Sequence, residues 1–197
     1  MAATLMDRLL EVAGQQRGYL VPADAEAVDV NPVELRKLAA RGRLNRVAHG
    51  VYRFPTFPNR PGDELMEAVA WTGKRGVIAG ATALAVRELC DVNPGRIEMA
   101  VPPTYRPRKK GGDLYWFLVE RLGPGDVEIV DDIPVVIPAV AIAEAIDEHV
   151  DPALIDQAIT TARRRGELTT KDEARLRQRV RNATVHGWRA NTLEEPR

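Results

Sequence analysis

A helix with two defined ends, followed at once by a hairpin, constrains this chain most, and it reads NPVELRKLAARGRLNRVAHGVYRF from Asn31 onward. Asn31 can cap free amides, Pro32 is tolerated in a first helical turn, and Glu34 can complete a capping box. Gly42 is a typical residue for the end of a helix. We therefore predict a helix over residues 32–41.

This helix separates apolar from basic residues. At about 100° per residue, Leu35, Leu38 and Ala39 gather on one face. The opposite face carries Val33, Arg36, Lys37, Ala40 and Arg41. Because arginine and lysine can reach phosphates and guanine edges, and small residues permit close approach, such a face suits the DNA major groove. A solvated basic face is the alternative explanation of the same pattern, and the capping, the helical period and the hairpin together favour nucleic-acid binding.

The flanking segments predict a winged helix-turn-helix. Upstream, TLMDRLLEVAGQQ has the apolar stripe of a helix, and an extended piece (19–21) and a short helix (22–27) follow. Downstream, two short strands flank Gly50, which can supply the positive φ of a tight turn. In such a domain, the helix after the turn reads the major groove and the hairpin contacts the adjacent backbone.

The predicted DNA-binding residues lie on this helix and its hairpin. They are Arg36, Lys37, Ala40, Arg41, Arg43, Arg46 and Arg53. In the hairpin, Arg46 and Arg53 are expected to face phosphates, while Tyr52 and Phe54, two positions apart, are expected to pack inward.

The formal net charge of zero, from 28 basic and 28 acidic residues, hides a strong segregation of charge. Six basic residues and only Glu34 as an acid lie between Val33 and Arg53. A second basic cluster comprises Arg106, Arg108, Lys109 and Lys110. Residues 120–156 hold ten acids opposed only by Arg121, and residues 163–181 are basic again. Local fields therefore matter more than the net charge.

The remainder predicts a mixed α/β domain that ends in helices. The runs GVIAG, RIEMAV, LYWFLVE and VEIVDDIPVVI are strand-like, and Trp116 and Phe117 are expected in the core. Thr170 and Glu173 predict a capping box. The fold class is therefore α/β (α+β), with a winged helix-turn-helix over residues 1–58, an α/β domain over 61–184 and a mobile tail over 185–197.

No catalytic, cofactor or metal motif stands out, so we expect no enzyme activity, no cofactor and no metal site. The chain lacks a phosphate-binding glycine loop, HExxH and GxSxG. One cysteine, Cys90, and three histidines give no zinc constellation. Asp126, Glu128, Asp131 and Asp132 are the nearest approach to a carboxylate cluster, and a solvated acidic edge explains them better. Without a long apolar run or a signal peptide, a cytoplasmic protein with no membrane partner is expected.

The residues also resemble a known family. GYLVPADAEAVDVNPVELRKLAARGRLNRVAHGVYRFP is similar to the N-terminal domain of AbiEi antitoxins, which belong to two-gene, type IV toxin–antitoxin systems. The similarity lies in LRKLAARGRL and in the closing HGVYRFP, and it continues through GVIAGATALAVREL and RIEMAVPP, over about residues 4–165. Two departures are Asp29, where glycine is expected, and IPVVIPAVAIAEAI, where a Thr-Pro-rich stretch is expected.

The resemblance implies an antitoxin that binds its own promoter as an autoregulatory repressor and neutralises a nucleotidyltransferase-like toxin encoded next door. Direct masking of the toxin and indirect action on the toxin's target fit equally well. The acidic block over 120–156 would suit a basic toxin cleft, with Asp147, Glu148 and Asp151 as exposed contacts. The alternatives are a ligand-sensing winged-helix transcription factor without a toxin partner and an enzyme acting on nucleic acid.

Overall fold

The computed structural model describes residues 3–106 and 114–185, which divide into two compact units. Of these, residues 3–77, 104–106 and 129–134 form the first unit, and residues 78–103, 114–128 and 135–185 form the second. Residues 108–110 of the second basic cluster and residues 186–197 of the predicted tail lie outside the described residues.

The first unit is a winged helix-turn-helix, as predicted. Its elements in chain order are α1 (Leu5–Gly14), β1 (Tyr19–Leu20), α2 (Pro22–Ala27), α3 (Val33–Ala40), β2 (Asn45–Ala48), β3 (Val51–Arg53) and α4 (Asp63–Trp71). The three strands form an antiparallel sheet in the order β1-β3-β2. Large apolar side chains, among them Leu9, Leu20, Leu35, Leu44 and Tyr52, form its core. The apolar faces of α1 and α3 thus share one core with side chains of the strands, because burial of those side chains removes them from water.

The ends of α3 differ in detail from the prediction. Asn31 does accept a hydrogen bond through Oδ1, from the amide of Val33 at 2.9 Å. Glu34, however, does not close a capping box, since its carboxylate binds Lys37 Nζ at 2.7 Å. The helix stops just before Gly42, as predicted: Gly42 has a positive φ of 71°, and the amide of Arg43 binds the Leu38 carbonyl at 2.9 Å.

Asp24 fixes the start of α2. This buried carboxylate accepts hydrogen bonds from the amide of Val21 at 2.8 Å, from Gln16 Nε2 at 2.9 Å and from Lys74 Nζ at 2.7 Å. A buried carboxylate is tolerated only when its oxygens are satisfied in this way. The end of α1, the first turn of α2 and the loop after α4 are consequently tied to one side chain.

The second unit is mixed α/β. The elements after α4, of which residues 77, 129–130 and 133–134 are counted with the first unit, are β4 (Val77–Ile78), α5 (Gly80–Val86), β5 (Ile97–Val101), β6 (Tyr115–Val119), β7 (Val127–Val130), β8 (Ile133–Val136), α6 (Pro138–Asp147), α7 (Pro152–Arg164) and α8 (Thr170–Val185). The sheet order is β6-β5-β4-β8-β7, with β5 parallel to β6 and β4 parallel to β8. Helices α5 and α6 pack together, and α6 packs on α7 and α8. The mixed α/β class predicted from the sequence is confirmed.

Two local predictions in the second unit are wrong. Trp116 is not a core residue: it is 39% exposed, and Arg96 lies over its ring at 3.9 Å from the centroid. The cap of α8 is formed by Thr169 and Asp172, which exchange hydrogen bonds of 2.6 and 3.1 Å, rather than by Thr170 and Glu173.

Gly18 carries a testable constraint of the first unit. Its φ is +88°, and a Cβ there would lie 2.6 Å from Phe57 Cγ. Gly42 has a similar φ of +71° but open space around it, so it is the matched control. We expect Gly42→Ala to lower the free energy of unfolding by about 1 kcal/mol, through backbone strain alone. Gly18→Ala should lower the free energy of unfolding by roughly 1–3 kcal/mol more than this, because its Cβ would clash with Phe57.

Urea unfolding followed by circular dichroism measures both losses. Equal losses for the two alanine variants would show that contact with Phe57 does not restrict position 18.

Candidate nucleic-acid interface

The face of α3 that points away from the core is basic. Leu35 and Leu38 are buried, while Arg36, Lys37, Ala40 and Arg41 are exposed, in the arrangement expected from the helical period. The small side chain of Ala40 lies among the cations, so that face can approach another surface closely. Exposed cations and small residues on one helix face are the arrangement by which recognition helices meet base edges and phosphates.

Lys37 is held on this face by its own helix. Its ammonium lies 2.7 Å from Glu34 Oε1, and its side chain is 53% exposed. Exposed ion pairs of this kind contribute roughly 0–1 kcal/mol, so a phosphate can take the place of Glu34 at little cost.

The turn between α2 and α3 has a backbone conformation that explains one departure from the family pattern. Asp29, which stands where glycine is expected, has φ +54°, in the left-handed region. Glycine enters that region without strain, and aspartate is one of the few other residues that tolerate it. Arg8 of α1 also donates to the Val28 carbonyl at 2.6 Å, which holds the turn against α1.

The hairpin of β2 and β3 presents two of its predicted cations to solvent. Arg43 precedes the hairpin and Arg46 lies on β2, and both side chains are exposed. An Arg46 Nη2 to His49 Nδ1 contact of 3.3 Å places Arg46 beside the turn. Tyr52 and Phe54 are buried, which confirms their predicted inward packing.

Arg53 was predicted to face phosphates, but its side chain is only 12% exposed. The guanidinium donates to the carbonyls of Arg17 and Pro58, to Asn59 Oδ1 and to Asp63 Oδ2, at 3.2, 2.9, 2.6 and 2.7 Å. It also lies 5.0 Å from the centroid of the Tyr19 ring. These contacts engage Arg53 within the first unit, so it is a structural residue of the hairpin.

Asp63, the first residue of α4, is the centre of this arrangement. Besides Arg53, it lies 3.4 Å from Arg17 Nη1 and accepts the amide of Arg60 at 3.0 Å. Arg17 is almost fully buried and also donates to the carbonyls of Pro61 and Asp131, at 2.7 and 2.9 Å. Two arginines, one carboxylate and four main-chain carbonyls thus satisfy one another largely out of water. We name Arg17, Arg53 and Asp63 the clasp.

A cavity of about 600 Å³ opens beside the hairpin turn, wholly within the first unit. Its lining includes His49, Trp71, Arg75, Tyr105 and Arg106, and no described residue of the lining is an aspartate or glutamate. The sequence pattern did not identify Trp71, Arg75 or Tyr105, because the stretch that holds Trp71 and Arg75 and the one that holds Tyr105 have no periodicity in common.

The three acidic residues predicted to bind a toxin lie where α6 meets α7. Asp147 and Asp151 are exposed and Glu148 is half-buried. Each already has a contact: Asp147 Oδ1 with Arg179 Nε at 3.1 Å, Glu148 Oε2 with Trp116 Nε1 at 3.1 Å, and Asp151 Oδ1 with the amide of Ala153 at 2.7 Å. Asp151 is therefore also the N-cap of α7.

The buried carboxyl groups of the second unit are not those that the sequence suggested. Glu98 and Glu144 accept the amides of Ala81 and Gly80, at the start of α5, at 2.6 and 2.7 Å. Burial, reinforced by a hydrogen bond with Glu120, raises the pKa of Glu144 to about 9, and burial also raises the pKa of Glu98. Glu144 is consequently protonated at neutral pH and serves as a neutral anchor for α5.

The carboxylates at 126 and 128 have local roles. Asp126 accepts the amide of Gly123 at 2.7 Å, and Glu128 pairs with Arg87 at 2.9 Å. Within residues 3–106 and 114–185, no group of three histidine, cysteine, aspartate or glutamate side chains is placed to hold a metal ion. Across the same ranges, no helix has the length and apolar character that crossing a membrane requires.

Comparison with known proteins finds a matching family for part of the first unit. Residues 7–55 match the profile of a family described as "Transcriptional regulator, AbiEi antitoxin". This match confirms the predicted resemblance over that segment, which is a helix-turn-helix regulator domain. No curated protein matches the chain. Among solved structures, the "Crystal structure of RV2827C protein from Mycobacterium tuberculosis" is similar over 93% of this chain and 78% of that one, with 15% identity and a TM-score of 0.42.

The assignment of Arg53 to the clasp predicts opposite behaviour for two arginines of the hairpin. Arg53→Ala leaves Asp63 with one fewer partner, so we expect a loss of stability on the order of 3 kcal/mol. Arg46→Ala removes only an exposed side chain and should leave the thermal midpoint nearly unchanged. Differential scanning calorimetry of the two variants tests this, and a stable Arg53→Ala protein would contradict the assignment.

Proposed function

We propose that this chain is an antitoxin that represses its own promoter and neutralises a nucleotidyltransferase-like toxin in the cytoplasm. The observation that carries the proposal is the exposed basic face of α3, set in a segment that matches the AbiEi regulator profile. The first unit would bind the operator, and the second unit would act on the toxin.

The DNA part of the proposal rests on the geometry of the first unit. A recognition helix in the major groove would use Lys37 and Arg41, one turn apart, with Arg36 beside them. Arg43 and Arg46 would reach the adjacent phosphates from the hairpin. Arg53 is omitted from the proposed interface, since the clasp already engages its guanidinium.

Lys37→Ala and Arg41→Ala are expected to weaken binding to the chain's own promoter. A lost base contact costs about 1–3 kcal/mol and relaxes specificity at one position. Arg46→Ala should instead weaken binding to all sequences alike and reduce the salt slope by about 1, as the loss of one phosphate contact does. Fluorescence anisotropy with promoter and scrambled duplexes, titrated over a range of salt concentrations, measures these effects.

The matched control is Arg164→Ala, an exposed arginine at the end of α7 in the second unit. It should bind the promoter as the unaltered protein does. If the unaltered chain fails to bind its promoter even at low salt, repression by this chain is ruled out.

A toxin that handles nucleotides or tRNA would need a basic cleft, which the acidic block at the α6–α7 junction would complement. The proposed contacts are Asp147, Glu148 and Asp151. Since Asp151 caps α7 and Glu148 accepts a hydrogen bond from Trp116, charge reversal there would also disturb the fold. Isosteric neutralisation separates the two effects, because amide oxygens still accept hydrogen bonds.

We expect the triple variant Asp147→Asn, Glu148→Gln and Asp151→Asn to rescue cells from the co-expressed toxin less well, while its promoter binding stays intact. The control variant replaces Arg163, Arg164 and Arg165 with glutamine and should rescue more completely. Growth of co-expressing cells is the measurement. If the variant without these three carboxylates rescues fully and the arginine variant does not, the toxin-binding surface lies on α7 and α8 instead.

A ligand-sensing transcription factor is the second candidate function, and the cavity beside the hairpin turn favours it. The gene next to this one separates the two candidates: a nucleotidyltransferase gene supports the antitoxin, and a metabolic operon supports the sensor.

A further inference from the structure

We infer that the cavity beside the hairpin turn is a nucleotide-binding site, in which arginines take a phosphate and aromatic rings take the base of one nucleotide unit. Its volume of about 600 Å³ lies in the usual range of small-molecule sites, which is roughly 300–1,000 Å³. The whole lining belongs to the first unit, so the site exists without any contribution from the second.

The charge of the lining selects an anion. Arg75, Arg106 and His49 are exposed on its wall, and no described lining residue is acidic. Arginine binds phosphate oxygens through two parallel N–H donors, which makes it the usual residue for phosphate recognition. A cavity with two arginines and no carboxylate among its described lining residues therefore favours a phosphate-bearing ligand over a cationic or neutral one.

Arg75 is already oriented for this role. Its Nε donates to the Thr72 carbonyl at 3.3 Å, and its guanidinium lies 4.7 Å from the centroid of the Tyr105 ring. Within the described part of the chain, neither Nη atom has a hydrogen-bond partner. The guanidinium plane is thus held at one edge and over one ring, while its other donors remain available to a ligand. Holding the side chain in advance lowers the entropic cost of binding.

The aromatic residues select a planar group. Trp71 is half-buried and Tyr105 is buried, and both contribute to the wall. Bases stack on such rings regardless of their identity, because every base has a π-face. Burial raises the pKa of Tyr105, against the opposing effect of Arg75, so its hydroxyl stays protonated at neutral pH.

Because the cavity lies beside the hairpin turn, two kinds of nucleotide could reach it. His49 and Gly50 of the hairpin turn are part of the lining, and Arg46 contacts His49 at 3.3 Å. The occupant is either a free nucleotide, which would act as an effector beside the hairpin, or one nucleotide of a strand that passes the hairpin. The first source is independent of the proposed antitoxin function and would support the ligand-sensing candidate, whereas the second rests on the proposed DNA binding.

Isothermal titration calorimetry of the full chain with ATP tests the first source, with adenosine and inorganic phosphate as partial ligands. We expect ATP to bind more tightly than either partial ligand, and Arg75→Gln to weaken ATP binding about tenfold or more. Tyr105→Phe should keep the affinity, and Tyr105→Leu should lose it. The control is Arg60→Gln, an exposed arginine of the same unit that is not part of the lining.

Anisotropy with a single-stranded oligonucleotide and with the promoter duplex tests the second source. If ATP does not bind, and if Arg75→Gln weakens binding to either DNA about tenfold while Arg60→Gln leaves it unchanged, the occupant is a nucleotide of a DNA strand. If Lys37→Ala binds DNA normally while Arg75→Gln does not, the site stands and the proposed recognition helix fails.

The inference is overturned if Arg75→Gln and Tyr105→Leu bind ATP and both DNAs as the unaltered chain does. It is also overturned if the unaltered chain binds none of the three, or if Arg60→Gln weakens binding as much as Arg75→Gln.

Discussion

The clasp of Arg17, Arg53 and Asp63 is the interaction on which the first unit depends. It joins the loop before β1 to β3 and the first turn of α4, which lie more than 30 positions further along the chain. Because the three charged groups are largely removed from water, the burial of each one is favourable only while the other two are in place. The same contacts decide which hairpin cations can serve another molecule: Arg43 and Arg46 remain exposed, and Arg53 does not.

Much of this unit could be predicted from local sequence. A helix start and stop, an apolar period and a glycine turn each act within a few residues, which is why α2, α3 and the hairpin were placed correctly. Errors arose where two local solutions compete or where contacts from outside the element decide. The pairs Thr169-Asp172 and Thr170-Glu173 offer the same capping pattern one residue apart, and the structure uses the first. The alternation along β3 predicts an exposed Arg53, but the loop over residues 54–62 covers its side chain.

The cavity and the buried acids could not be read from the sequence for a related reason. Arg75 and Tyr105 meet across thirty positions of chain, and Glu144 meets the start of α5 across 64. Neither pair belongs to a common helical or strand period, and nothing in an isolated glutamate indicates that burial will keep it protonated. Tertiary structure, rather than propensity, creates both features.

The proline-rich stretch FPTFPNRPGD, which in the sequence has the composition of a linker, acts instead as a strap. The carbonyls of Pro58 and Pro61 and the side chain of Asn59 are all held by the clasp arginines. A strap fastened at three points gives no hinge between the hairpin and α4. A displacement of the hairpin would therefore be transmitted to α4 rather than absorbed, and Trp71 at the end of that helix forms part of the cavity wall. The hairpin turn, through His49 and Gly50, and α4, through Trp71, thus line the same cavity.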